Sequence, residues 1–129
     1  MTRVLIADDD VDTRETLTLL LTEEGYQTFE TSDGLQALSI VLNDPQPLIA
    51  LLDFSMPRLD GLSLLQRVTS HPPLHPRAYI FMTGYAPTKY ADQTDLLTQL
   101  QVQILAKPFD IDAVLTLVHQ AEISLASNR

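Results

Sequence analysis

Short, predominantly apolar runs alternate along the chain with longer segments in which apolar residues recur every three or four positions. The runs occupy residues 3–7, 48–53, 77–82 and 102–106, whereas residues 26–31 alternate bulky and polar side chains. An apolar run bounded by turn-forming residues is typical of a strand buried on both faces of a parallel sheet. An alternating run favours an edge strand. The pattern therefore predicts five strands.

Helical periodicity fills the intervals between the predicted strands. The apolar residues expected on the inner faces are Leu17, Leu20 and Leu21; Leu35, Leu38, Val41 and Leu42; Leu62, Leu65 and Val68; and Val114, Leu117, Val118, Ala121 and Leu125. Asp10 or Asp12 can cap the first helix and Asp110 the last, and Gly25 is placed to end the first. Residues 87–99 are polar with a weak apolar stripe, so they give the weakest helix signal.

Five strand–helix units follow one another without a repeat or a linker. Such alternation is typical of parallel strands joined by right-handed crossovers. We therefore expect an α/β fold, a doubly wound five-stranded parallel sheet of order 2-1-3-4-5 with helices on both faces (flavodoxin-like). In this order the ligand-binding crevice lies between the first and third strands, at their carboxyl ends. Residues 1–129 are expected to form one domain.

Composition narrows the function classes. The 129 residues include no cysteine, which excludes disulfides and thiolate metal sites. No apolar stretch approaches the roughly 20 residues of a membrane span, and no signal-peptide pattern begins the chain. The net charge is −9 and the 8 basic residues are scattered, which argues against a nucleic-acid surface. We expect a cytoplasmic protein without membrane or nucleic-acid partners.

Polar residues follow four of the five predicted strands. Asp8 and Asp9 follow the first strand, Asp53 ends the third, Thr83 follows the fourth and Lys107 the fifth. Taken singly, each has a plain structural explanation, because aspartates often cap helices, Thr-Gly often forms a turn and a lysine before proline is usually solvated. Their convergence at one edge of a parallel sheet instead favours a functional site.

The expected acid cluster suits a hard cation. Two like charges about 4 Å apart repel by roughly 4 kcal/mol at an effective dielectric constant of about 20. A shared proton or a cation offsets such repulsion, and carboxylate oxygens suit Mg²⁺. Histidine and cysteine are absent from these strand ends, so zinc and copper have little support. An aspartate beside a metal can act as the nucleophile in phosphoryl transfer, with Lys107 and Thr83 as complementary groups.

Four segments together resemble the signature of response-regulator receiver domains of the single-domain, chemotaxis-regulator-like kind. They are VLIADDD at residues 4–10, LDFSMPRLDG at 52–61, MTG at 82–84 and KPF at 107–109. The segments occur in the family's order with similar spacing, and the resemblance covers essentially the whole chain.

The resemblance implies a role for each matching residue. Asp53 corresponds to the phosphoacceptor, Thr83 to the hydroxyl residue that turns toward the phosphoryl group and Lys107 to the lysine that pairs with it. The implied Mg²⁺ ligands are Asp8, Asp9, Asp53 and the backbone carbonyl of Ser55, with Asp9 a more direct ligand than Asp8. The family also commonly has a cis peptide between that lysine and the next proline, here Lys107-Pro108.

The implied function is a phosphorylation-dependent switch of a two-component system. A sensor histidine kinase or a histidine phosphotransfer protein would donate the phosphoryl group, and an unidentified downstream output protein would bind the altered surface. Such a protein is a phosphoacceptor and not an enzyme in the usual sense, apart from any catalysis of its own phosphorylation and dephosphorylation.

Some features depart from the family's pattern. Ile104 stands where an aromatic residue is usual, and Lys107 lies 24 positions after Thr83, a slightly long separation. Tyr85 could replace the missing aromatic or shield the phosphoryl group from water. His71, His75 and His119 are expected to be solvated or packed and not to be phosphotransfer histidines.

Two other classes remain open on the sequence alone. A pseudo-receiver would be a phosphorylation-independent interaction module, which Ile104 leaves possible and the full set of site residues opposes. A metal-dependent phosphohydrolase would usually carry a second acid two residues after the nucleophile, where this chain has Ser55.

Overall fold

The computed structural model of the chain describes residues 1–84 and 94–127. Its strands are β1 (Arg3–Ala7), β2 (Gln27–Thr31), β3 (Leu48–Asp53), β4 (Arg77–Thr83) and β5 (Gln103–Ala106). The helices in the described part are α1 (Val11–Glu23), α2 (Gly34–Asn43), α3 (Gly61–Ser70), α4 (Thr94–Gln99) and α5 (Ile111–Ser127).

The strands form one sheet of order β2-β1-β3-β4-β5, and every neighbouring pair is parallel. All six residues of β3, the central strand, are buried. This is the pattern of a strand covered on both faces, since its apolar run leaves no polar side to face water. The predicted fold class and strand order are confirmed.

Helices cover both faces of the sheet and bury two separate cores. Leu48, Ala50 and Leu52 of β3 pack with α2 and α3, whereas Ile49 and Leu51 pack on the opposite face with α1 and α5. Successive residues of a strand point to opposite faces, so one apolar strand serves both cores. Burying the central strand fixes where Asp53, its last residue, emerges.

The helix caps agree with the sequence patterns. Asp10 caps α1, accepting a hydrogen bond from the Asp12 amide at 3.2 Å, and Asp110 caps α5 through the Ala113 amide at 2.7 Å. Gly25, at a φ of 95°, follows α1 in the left-handed region that glycine adopts readily.

The differences from the predicted bounds are small. β2 and β5 each begin one residue later than predicted, at Gln27 and Gln103. Of the uncertain segment 87–99, residues 94–99 are helical, and residues 85–93 lie outside the described part. No helix among the described residues combines the length and the hydropathy that crossing a bilayer requires.

Arg77 lies where the strands begin, at the end of the sheet opposite the strand ends that carry the polar residues. Its guanidinium donates hydrogen bonds to the carbonyl oxygens of Val41 at 2.8 Å, Gln46 at 2.7 Å and Asp44 at 2.7 Å. These carbonyls belong to the end of α2 and the connection to β3, so one planar side chain fixes where the central strand starts. Burial lowers the pKa of this guanidinium, although the nearby Tyr79 and Asp44 oppose the shift.

Replacing Arg77 by lysine should lower the free energy of unfolding by about 2 kcal/mol, because one ammonium cannot satisfy three carbonyls arranged around a planar fork. Urea denaturation measures the change. Arg67→Lys, on the exposed face of α3, is the matched control and should change stability by less than about 0.5 kcal/mol. Equal effects of the two substitutions would contradict the assigned role of Arg77.

Candidate functional site

The polar residues at the strand ends meet at one edge of the sheet. The strands β1, β3, β4 and β5 finish at nearly the same level of the sheet. The parallel register shows this, since it pairs Ala7 with Leu52, Asp53 with Met82 and Thr83 with Ala106. The residues brought to this edge are Asp8, Asp9, Asp53, Thr83 and Lys107. Asp8, Asp53 and Thr83 are buried there, with exposed fractions of 0%, 8% and 3%.

Asp8, Asp9 and Asp53 form a cluster of carboxylates. One oxygen from each lies within 4.8 Å of the others; Asp9 is exposed and the other two are buried. This arrangement concentrates negative charge where little water can screen it.

The backbone around Asp8 is held by three hydrogen bonds. Its amide donates to the Thr31 carbonyl at 3.2 Å, and its Oδ1 accepts from the Asp10 amide at 2.9 Å. Arg14 donates to the Asp8 carbonyl oxygen at 2.7 Å. The buried carboxylate is therefore fixed before any ligand arrives. Arg14 was not among the predicted site residues, since a helix-surface arginine has no sequence signature for this contact.

Lys107 brings a positive charge into contact with the cluster. Its Nζ donates to Asp8 Oδ2 at 2.9 Å and lies 3.4 Å from Asp53 Oδ1. Its backbone amide donates to the Thr83 carbonyl at 2.7 Å, which ties the end of β5 to the end of β4. The Lys107-Pro108 peptide is cis, as the resemblance implied. Burial disfavours the ammonium, but hydrogen bonding and charge from Asp8 and Asp53 prevail and raise the pKa of Lys107.

Asp53 is a carboxylate whose ionised form is destabilised by its surroundings. Burial, followed by the charge of Asp8, raises its pKa from 3.8 to about 6, and Lys107 offsets only part of this shift. A carboxylate in this position gains from any cation placed beside it.

The loop from Phe54 to Gly61 shapes the other wall of the site. The Phe54 amide donates to the Met82 carbonyl at 2.9 Å, and the Gly61 amide returns to the Phe54 carbonyl at 3.0 Å. Arg58 adopts a φ of 71°, in the left-handed region. A side chain on Gly61 would lie 2.9 Å from the Phe81 ring, so glycine is needed for this close approach. Ser55 lies in the same loop and is exposed.

The other residues singled out in the sequence, Ile104 and the three histidines, are not part of the acid cluster. Ile104, on β5 opposite Phe81, is 39% exposed, so the family's usual aromatic position carries a partly exposed aliphatic side chain. His71, His75 and His119 are exposed, and His119 lies 3.8 Å from Glu122 on its own helix. Tyr85 lies outside the described residues.

The donor set fits Mg²⁺. The clustered ligands are all carboxylate oxygens, which this hard cation prefers, and they include no sulfur or imidazole. Among the described residues, the three carboxylates and Lys107 sum to an excess of negative charge that a divalent cation would neutralise.

Comparisons with known proteins identify the family. The profile described as "Response regulator receiver domain" matches residues 4–119. The chain is 37% identical to sporulation initiation phosphotransferase F of Bacillus subtilis, over 87% of this chain and 86% of that protein. It is 35% identical to a probable chemotaxis protein CheY of Rhizobium etli, over 85% and 84% of the two chains.

A solved structure shares the whole fold. The receiver domain of the Francisella response regulator 1452 superposes with a TM-score of 0.78 at 27% identity, and the match covers all of both chains. The chain belongs to the receiver domain family of two-component response regulators, whose members are signalling phosphoacceptors. Neither the family match nor these relatives support the pseudo-receiver or the phosphohydrolase alternative.

The raised pKa of Asp53 predicts how stability depends on pH in the absence of divalent metal. The folded state holds the Asp53 proton more tightly than the unfolded state, so the stabilising contribution of the protonated group is complete below about pH 4. It is lost as the pH rises through about 6. Asp53→Asn, which cannot ionise, should therefore become progressively more stable than the unaltered protein between pH 4 and 7.

Urea denaturation in EDTA across this range measures the difference between the two proteins. Adding Mg²⁺ at pH 7 should reduce the difference, because the cation stabilises the ionised carboxylate. A difference that did not change with pH would contradict the raised pKa.

Proposed function

We propose that this receiver domain, taken as one unit over residues 1–129, is a phosphorylation-dependent switch that accepts a phosphoryl group on Asp53. The observation that carries the proposal is the position of Asp53, the last residue of a buried central strand, among two further carboxylates and a lysine. Phosphoryl transfer needs a nucleophile with compensating positive charge held around it, and this edge of the sheet supplies both.

The donor we propose is the phosphohistidine of a sensor histidine kinase or of a histidine phosphotransfer protein. In the transfer step an Asp53 carboxylate oxygen forms a bond to phosphorus while the phosphorus–nitrogen bond of the donor breaks. The departing imidazole nitrogen keeps the electron pair. Asp53 must be ionised to attack, which its pKa of about 6 allows at neutral pH. Positioning and charge neutralisation then account for most of the catalysis.

Neighbouring residues would bind the cation and the phosphoryl oxygens. Asp8, Asp9, Asp53 and the Ser55 backbone carbonyl would hold Mg²⁺, which supplies neutralising charge for the phosphoryl oxygens. Lys107, already 3.4 Å from Asp53, would pair with a phosphoryl oxygen, and the Thr83 hydroxyl would donate a hydrogen bond to another.

The output we propose is a changed protein-interaction surface. An aspartyl phosphate carries more negative charge than a carboxylate and has three acceptor oxygens, so it can draw Lys107 and Thr83 toward it. The backbone hydrogen bond between these two residues would carry such a movement to the ends of β4 and β5. Ile104 lies on β5 and would take part as an aliphatic contact. The downstream partner is another protein, and we place the switch in the cytoplasm.

Incubation with Mg²⁺ and a small acyl-phosphate or phosphoramidate donor should place a base-labile phosphate on Asp53, identified by peptide mapping. Asp53→Asn should abolish labelling, because the amide is not a nucleophile at this pH. Asp60→Asn is the matched control: it makes the same chemical change seven residues later and keeps the cap of α3, whose Asp60 accepts from the Ser63 amide at 2.8 Å. It should label normally.

Asp9→Ala separates the metal from the acceptor. This variant should retain Asp53 but lose most of the dependence of labelling on Mg²⁺. Labelling that persisted in Asp53→Asn would place the acceptor elsewhere, and the absence of labelling from every donor, a cognate kinase included, would overturn the proposal.

A further inference from the structure

The turn between β2 and α2 contributes no side chain to the acid cluster, yet it contacts both segments that carry the cluster. On one side the Thr31 carbonyl accepts the Asp8 amide at 3.2 Å. On the other side the Gly34 amide donates to the Pro57 carbonyl at 3.1 Å. The four residues from Thr31 to Gly34 therefore connect the backbone beneath Asp8 to the loop that follows Asp53.

Gly34 is required here by lack of space. A Cβ at this position would lie 1.7 Å from the Leu59 carbonyl oxygen and 2.6 Å from its carbonyl carbon. The obstructing atoms are backbone, which cannot rotate away as the end of a side chain could. Because a carbon–oxygen contact is ordinarily about 3.3 Å, any larger residue must separate α2 from the loop by about 1.5 Å.

Asp33 reinforces the same contact. It is buried, and its Oδ1 caps α2 by accepting from the Gln36 amide at 2.8 Å. Its Oδ2 lies 3.6 Å from the Arg58 guanidinium, on the residue whose φ is 71°. The first turn of α2 thus contacts the loop through a backbone hydrogen bond, a close carbonyl contact and an ion pair, at Pro57, Leu59 and Arg58.

The opposite end of the loop is fixed independently. Phe54 is bonded to β4 through Met82, and Gly61 closes back onto Phe54. Ser55 lies between this fixed end and the part held by Gly34. The direction of its carbonyl therefore depends on both anchors.

We propose that Gly34 and Asp33 are positioning residues for cation binding: the β2–α2 turn sets the spacing between Asp8 and the Ser55 carbonyl. The inference rests on the proposed function in one respect, that the acid cluster binds Mg²⁺. Groups that orient metal ligands commonly affect metal affinity about 10- to 100-fold when they are changed. The turn acts in this way although it lies outside the cluster.

Gly34→Ala tests the inference through metal affinity and not through phosphorylation. The Mg²⁺ dissociation constant, measured by calorimetric titration, should rise about tenfold in a variant that still unfolds cooperatively. Ser39→Gly is the matched control, because it weakens the same helix at an exposed position away from the loop. It should leave the dissociation constant within about twofold of the unaltered value.

A second measurement uses the unaltered protein, so it tests the positioning role of Gly34 even if Gly34→Ala does not fold. Titration with Mg²⁺ should shift the amide resonance of Gly34 together with those of Asp53 and Ser55. The Gly25 amide, bonded to the Thr22 carbonyl at the opposite edge of the sheet, should not move. A Gly34 resonance that stayed in place while the acids became saturated would overturn the inference.

The two proposals fail in different ways. An unaltered protein that binds Mg²⁺ and is labelled on Asp53, together with a Gly34→Ala variant of equal Mg²⁺ affinity, would overturn the positioning role alone. An equal loss of affinity in Ser39→Gly would have the same meaning. An unaltered protein that binds no Mg²⁺ would overturn the metal assignment in the proposed function, and the positioning role with it.

Discussion

The burial of Asp8 and Asp53 beside Lys107 is the constraint on which the site depends. Both carboxylates are buried at this edge of the sheet, and burial together with the charge of Asp8 raises the cost of ionising Asp53. Lys107 reaches both, but it is hydrogen-bonded to Asp8 at 2.9 Å and lies farther from Asp53, at 3.4 Å. Asp53 has the longer contact with this lysine, and burial followed by the charge of Asp8 raises its pKa despite that contact. In the proposed function, the nucleophile is therefore a carboxylate whose ionised form is destabilised by burial.

The rest of the fold maintains this unfavourable arrangement. A one-residue slip of the fully buried β3 would exchange its side chains between the two cores and turn Asp53 to the other face of the sheet, so the packing of both cores fixes the position of Asp53. Arg77 fixes where the same strand begins, and the loop from Phe54 to Gly61 fixes how it ends. Hydrophobic burial in the sheet thereby offsets the electrostatic cost at its edge.

The sequence predicted the parts of this molecule that depend on local pattern. The apolar run ending in Asp53 specified a central buried strand, and Asp10 and Asp110 marked helix starts correctly, because capping acts within a few residues. The sequence did not predict three contacts. They are the hydrogen bond from Arg14 to the Asp8 carbonyl, the hydrogen bonds from Arg77 to carbonyls before β3, and the close packing of Gly34 against the Leu59 carbonyl. Each joins distant segments through a backbone carbonyl, which every residue carries, so no side-chain pattern identifies the partner.

Charge balance indicates how the proposed chemistry becomes a switch. In the described part of the chain, the three carboxylates and Lys107 carry about two negative charges, which one Mg²⁺ would balance. Phosphorylation replaces the single charge of Asp53 with about two. In the proposed function, the added charge would make the phosphoryl group a stronger partner for Lys107 than Asp8 is. Because the Lys107 amide is bonded to the Thr83 carbonyl, an exchange of partners by the lysine acts directly on the ends of two strands. In the proposed function, the contact of Lys107 with both Asp8 and Asp53 would therefore link phosphorylation of Asp53 to movement of the two strand ends.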